Sequence, residues 1–231
     1  MPELPEVETT MRALAARLRG RRILRLERRV DRLREPLPAD LERKVNGRRM
    51  VEFARRAKYI IIHLDETESL LLHLGMSGRL LFDGPPRGRH EHLTFHCEGG
   101  TVLRFVDPRR FGLLLLAERS GLATHPRLAG LGVEPLSPAF DGALLHRRFA
   151  GRRSDVKAAL LDQRLVAGVG NIYACEALFR AGISPRRRAG GLGRRRCERL
   201  ARAIVAVLEE AIAAGGSSLR DYVDADGRAG N

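Results

Sequence analysis

Cysteine is scarce in this 231-residue chain: Cys97, Cys175 and Cys197 stand far apart with no CxxC pair. That excludes a disulfide framework, and it excludes a four-cysteine zinc site built from them. Free, mostly structural thiols are expected. Long apolar runs are missing as well. None reaches the roughly 18 to 20 residues of a membrane helix, and the N-terminus lacks the apolar core of a signal peptide. A soluble, cytoplasmic protein with no membrane partner is the expectation. Lysine is the third scarcity: only Lys44, Lys58 and Lys157 occur among 42 basic residues, so the other 39 are arginine. Each lysine is therefore worth inspecting, because only Lys offers an amine that its surroundings can tune to exchange a proton near neutrality.

What is present is a core and a large positive charge. Apolar residues make up 44% of the chain, enough for one large domain or two small ones with real cores. The formal net charge is +14, which favours polyanions such as nucleic acid or an anionic membrane surface and excludes an acidic, cation-seeking protein. The excess is shared. Residues 1–133 carry 25 basic and 17 acidic side chains, and residues 134–231 carry 17 and 11. Two basic lobes fit a cleft around a nucleic acid better than a single basic arm does, although biased codon usage alone would also enrich arginine.

The apolar positions Leu4, Val7, Met11, Leu14 and Leu18 recur in steps of three and four, the pattern of an amphipathic helix, with Pro5 tolerated in its first turn. Short apolar runs follow, at 23–26, 59–64, 70–74, 93–97, 102–106 and 113–116. Turn residues separate them, and they read as strands of an antiparallel sandwich or barrel. Around GVEPLSP, residues 132–138, the strand signals stop. A boundary is placed at 133/134, and helices are predicted at 141–149, 155–163, 171–180 and 194–214. The fold class is therefore α+β: a helix and β-sandwich domain, then an all-helical one.

Five segments could carry chemistry. MPELPEVE puts Glu3 and Glu6 in a first helical turn, where helix electrostatics alone would explain them. It also puts Pro2 next after a removable Met, and a free terminal amine with a pKa of roughly 7.7 to 8.0 is partly nucleophilic at neutral pH. If Met1 is retained, the Pro2 nitrogen is a non-basic amide. LVAGVGNIYACEALFRAGISP, residues 165–185, offers a tight glycine turn and Asn171 as a helix N-cap that attracts phosphate, with Arg152, Arg153 and Lys157 just upstream. A helix pair that merely packs is the bland alternative. LLHLGMSGRL places Met76 in one turn, and FVDPRRFG places Arg109, Arg110 and Phe111 in another. Such residues are usually loop packing, yet a Met, an Arg and a Phe on basic loops can also wedge a base stack and fill the space left by an extruded base. His90 and His92 flank Glu91 in a loop, and two histidines without a third ligand argue for phosphate contact or solvation over metal.

Together, MPELPEVE, RRAKY, LGMSG, DPRRFG and AGVGNIYACEALFRAGISP, in this order, resemble the bacterial formamidopyrimidine-DNA glycosylases along the whole chain. The related endonuclease VIII branch is similar in the nucleophile and the helix-two-turn-helix, but LGMSG and DPRRFG look like the formamidopyrimidine branch. A monomer is expected because no extra apolar face is left over, and the resemblance implies a nucleoid-associated bacterial enzyme of base excision repair. It would excise 8-oxoguanine and formamidopyrimidines from double-stranded DNA and then cleave the strand as an AP lyase. By the same resemblance Pro2 attacks C1′ and forms a Schiff base, Glu3 moves protons to and from the sugar, and Lys58 donates a proton during β-elimination. Glu6 supports the site. Met76, Arg109 and Phe111 match the void-filling set. His90, Arg110, Arg153, Lys157 and Asn171 match DNA contacts, mainly to phosphate.

One departure stands out. The family continues through a lesion-recognition loop into a zinc finger with four cysteines, whereas DYVDADGRAGN reads as an internal loop that has been cut. No metal site is expected from this chain, and weakened DNA binding and impaired δ-elimination are. Two alternatives stay open: an endonuclease VIII-like preference for oxidised pyrimidines, and a catalytically impaired protein that binds damaged DNA. A general basic chromosomal protein would leave Pro2, Glu3 and Lys58 unexplained.

Overall fold

A computed structural model describes residues 1–84, 86 and 88–216. The recognition-loop reading of the tail lies outside the described residues. The chain divides into two compact units, Met1–His125 and Pro126–Ala213, each with its own architecture.

In the first unit, α1 (Leu4–Leu18) is followed by β1 (Ile23–Arg28), a short α2 (Leu41–Val45), β2 (Met50–Arg56), β3 (Tyr59–Leu64), β4 (Glu68–His73), β5 (Arg79–Phe82), β6 (Glu91–Cys97), β7 (Val102–Val106) and β8 (Leu113–Glu118). The strands form two antiparallel four-stranded sheets, ordered β1-β6-β7-β5 and β2-β3-β4-β8. Alternation decides which side chains meet. Leu26, Leu93, Phe95, Leu103 and Phe105 of one sheet share a single core with Ile60, Ile62, Leu70 and Leu72 of the other. Val7, Leu14 and Leu18, from the apolar stripe of α1, join that core.

The β2–β3 hairpin closes through two residues, Ala57 and Lys58, because Arg56 pairs directly with Tyr59. Such short loops need a positive φ to match the twist of the strands. Ala57 supplies it at φ 52° despite its Cβ, so the backbone is strained where Lys58 begins.

The second unit contains α3 (Gly142–Phe149), α4 (Val156–Leu161), α5 (Asn171–Arg180) and α6 (Arg194–Ala213). Asp141 and Asp155 cap α3 and α4 by accepting from the Leu144 and Ala158 amides. The division at 125/126 precedes the boundary read at 133/134. Ahead of the two prolines, Val133 already forms a parallel bridge with Val166, and the Gly132 amide donates to the Gln163 carbonyl. GVEPLSP is thus tied into the helical unit. The turn signal marked where strands stop, and the chain had changed units a few residues earlier.

Three further readings are corrected. Asn171 is the first residue of α5 and Gly170 is its N-cap, in extended conformation. Glu3 precedes the helix as its N-cap. Glu91 and His92 are not in a loop: both are buried in β6, while His90 ends a single 3-10 turn before it. Charged flanks hid the strand start, because Glu91 is neutralised inside the sheet by Arg104.

Candidate active site and nucleic-acid interface

The N-terminal site is built on the first turn of α1. The Glu3 amide donates to Glu6 Oε2 at 2.9 Å, and the Glu3 carboxylate accepts from the Glu6 amide in return, a reciprocal capping box. Both carboxylates and Pro2 are buried. Lys58 arrives from the strained hairpin and is itself buried. Burial pushes its ammonium below the ordinary lysine range, and the charges of Glu3 and Glu6 oppose that shift. The fold therefore brings Glu3, Glu6 and Lys58 together beside Pro2. Met1 occupies the position ahead of Pro2, making its nitrogen an amide for as long as Met1 remains.

Arg55 fixes the hairpin to the helix. Its Nε donates to Glu8 Oε2 at 2.7 Å and its Nη1 to the Ala57 carbonyl at 3.0 Å, with the two side chains only 9% and 13% exposed. Arg55 and Glu8 stand inside the quoted RRAKY and MPELPEVE, but nothing in the residue pattern paired them. An exposed ion pair would contribute little, but this enclosed one ties the lysine turn to the helix that carries the carboxylates.

A second cluster lies on two loops of the same unit. Met76 and Phe111 are each 42% exposed, and the Arg109 guanidinium stacks 4.6 Å from the centre of the Phe111 ring. Gly75 lets the loops meet: its φ is +64°, and a Cβ there would come within 2.3 Å of the Phe111 carbonyl oxygen. Met1, Arg34, His73, Gly75, Met76 and Phe111 line a cavity of about 370 Å³. His73 and Arg34 were missed from sequence, although His73 stands inside the quoted LLHLGMSGRL. His73 Nδ1 accepts from the Gly75 amide at 2.9 Å. Its pKa is pushed down to about 4, by burial first and then by the Lys58 and Arg34 charges, so the ring is neutral with its other nitrogen protonated. Arg110 is exposed at φ 53°, and His90, its carbonyl bonded to the Asp107 amide, is partly exposed.

In the helical unit Arg153 and Asn171 are exposed, and Lys157 is half-buried in the first turn of α4. The turn joining α4 to α5 is held by Gln163. Its Oε1 accepts from the Gly168 amide at 2.8 Å and its Nε2 donates to the Val169 carbonyl at 2.7 Å. Gly168 takes φ +84°, the conformation that lets the chain reverse just before the first amides of α5.

For metal, Cys97 and Cys197 are buried, Cys175 is exposed, and no three His, Cys, Asp or Glu side chains converge on a point among the described residues. These residues do not fit a four-cysteine zinc site. Among the described residues no helix is long and apolar enough to cross a membrane.

A basic all-helical unit following a β-sandwich that carries Pro2, two buried carboxylates and a buried lysine is the frame of a DNA glycosylase of base excision repair. The formamidopyrimidine-DNA glycosylase N-terminal domain matches residues 1–114, and the H2TH domain of the same enzymes matches residues 131–223. The formamidopyrimidine-DNA glycosylase of Cereibacter sphaeroides is 53% identical over 242 residues, covering all of this chain and 85% of that protein. That of Acidiphilium cryptum is 53% identical over 230 residues, covering all of this chain and 83% of that one. Among solved structures, a Lactococcus lactis FPG mutant in complex with Fapy-dG-containing DNA superposes with TM-score 0.91 at 32% identity, over 99% of this chain and 84% of that one. The MutM (FPG) protein of Thermus thermophilus gives 0.88 at 42%, with the same coverage. The chain belongs to the formamidopyrimidine-DNA glycosylase family, in which lyase activity accompanies base excision.

Proposed function

We propose that the chain excises oxidised purines, 8-oxoguanine and formamidopyrimidines, from double-stranded DNA through a Schiff base on Pro2. It then cuts the strand by β-elimination. The observation that carries this reading is the enclosure of Lys58 with Glu3 and Glu6 directly beside Pro2. Removal of Met1 frees a secondary amine. The amine's electron pair forms the bond to C1′ as the damaged base departs with a proton, and the opened sugar leaves an iminium. Glu3 is placed to pass protons to and from the sugar oxygen, and Glu6 anchors Glu3 through its amide. Abstraction of a C2′ proton then expels the 3′ phosphate. Lys58, whose pKa burial lowers, is suited to supply a proton in that step. Met76, Arg109 and Phe111 serve as the wedge that fills the vacated stack, while His90, Arg110, Arg153, Lys157 and Asn171 contact phosphate.

The test is borohydride reduction of the protein mixed with an 8-oxoguanine duplex, followed by intact mass and peptide mapping. One adduct on Pro2 is expected. Absence of an adduct on protein with Met1 removed and the fold intact refutes the mechanism and leaves a protein that binds damaged DNA. Lys58→Met should keep the adduct on Pro2 but slow cleavage of a preformed abasic strand by about 10²-fold.

A further inference from the structure

We propose that Asp107 is the positioning residue that makes Met76, Arg109 and Phe111 act as one preformed wedge; the inference rests on the wedge reading above. Asp107 ends the strand region before the Arg109–Phe111 loop and is fully buried. Burying a carboxylate is unfavourable unless strong donors surround it, and among the described residues no cation pairs with this one. Its donors come from the two wedge loops. Oδ1 accepts from the Ser77 hydroxyl at 2.6 Å and from the Arg109 amide at 3.3 Å. Oδ2 accepts from the Gly112 amide at 2.7 Å. One carboxylate thus holds the residue after Met76, the residue at the start of the Arg109–Phe111 segment and the residue just after it.

The backbone of Asp107 extends the frame. Its amide donates to the His90 carbonyl at 2.9 Å, and its carbonyl accepts from the Arg110 amide at 3.3 Å. His92 Nε2 donates to that same carbonyl at 2.8 Å, while His92 Nδ1 is buried without a partner. His92 is therefore committed to holding Asp107. All the base-stack and phosphate positions assigned to this unit, Met76, His90, Arg109, Arg110 and Phe111, lie within one or two residues of a group bonded to Asp107. A wedge so held enters the stack without first paying to order its loops, which is the advantage of preorganisation.

The side-chain chemistry makes the test graded. In Asp107→Asn the amide NH2 must face either the Gly112 amide or the Arg109 amide, so at least one donor meets a donor. Ser77→Ala releases the Met76 loop and takes from the Arg109 amide its second acceptor, the Ser77 hydroxyl at 3.2 Å, but leaves the Asp107 bonds to the Arg109 and Gly112 amides in place. Single-turnover excision from an 8-oxoguanine duplex is compared with cleavage of the same duplex carrying a preformed abasic site, where no base has to be extruded. Stopped-flow fluorescence of a 2-aminopurine beside the lesion reports the extrusion step. The ratio of excision to abasic cleavage should fall roughly tenfold in Asp107→Asn and a few-fold in Ser77→Ala, with slower 2-aminopurine signals in both. Parallel loss of both reactions, or an unchanged ratio, overturns the inference. If the unmodified protein excises nothing but still extrudes, the catalytic reading fails while the variants' extrusion rates still decide the role of Asp107.

Discussion

His73 should make this protein lose stability between pH 6.5 and 4, and the amount can be worked out from its surroundings. In the fold its Nδ1 accepts from the Gly75 amide, so protonating that nitrogen would set donor against donor. Burial and the nearby Lys58 and Arg34 charges act in the same direction and hold the pKa at about 4, against 6.5 for a free imidazole. The unfolded chain therefore binds a proton that the fold refuses, and stability falls as pH drops through this window. At 1.36 kcal/mol per pH unit the full loss is about 3 kcal/mol, of which about 2 kcal/mol is reached by pH 5. His73→Asn keeps an acceptor for the Gly75 amide and cannot titrate. Urea unfolding of both proteins at pH 7, 6, 5 and 4.5 gives the difference, in which the titration of every other group cancels. The wild type should lose about 2 kcal/mol relative to the variant by pH 5. A difference that stays constant across this range would refute the argument, because it would mean that His73 titrates alike in both states.

Two further outcomes follow from single side chains. Arg55→Ala should destabilise the first unit by about 2 kcal/mol in urea unfolding, since it removes one of the two arginines on Glu8, leaving Arg12 on the other oxygen, and takes a donor from the Ala57 carbonyl; Arg55→Lys should not restore the loss, because one ammonium cannot span both acceptors. Gln163→Leu strips two backbone groups of their partner in the turn before α5 and should weaken binding to an undamaged duplex by up to about tenfold. Fluorescence anisotropy measures that, and borohydride trapping at saturating DNA should be unaffected.

Much of the architecture was legible because its signals were local. Leu4 to Leu18 alternate at the helical period, and the strands at Tyr59–Leu64 and Val102–Val106 are mostly apolar runs bounded by turn residues, each broken by one polar position, His63 or Arg104. β2 escaped notice because Glu52, Arg55 and Arg56 break its apolar run. Arg55 takes part in an enclosed ion pair with Glu8, 47 residues away, which spacing cannot reveal. β5 is four residues long and begins with Arg79. At the site, Pro2, Glu3 and Lys58 stood out through chemical rarity and motif. His73, Arg34 and Gln163 did not, since each acts through a contact that exists only once the chain has folded. Asp107 and Ser77 sat inside motifs already quoted, but beside more conspicuous neighbours.

Ala57 sets stiffness against stability. Its φ of 52° lies where a side chain costs an L-residue roughly 1 to 2 kcal/mol, and glycine would remove that cost. Glycine would also widen the range of conformations open to the turn and delete a methyl group that is almost wholly buried. A chain selected only for durability has reason to place glycine here. A chain whose next residue must deliver an ammonium to one fixed point gains from a joint that bends only one way, and alanine at this position is such a joint.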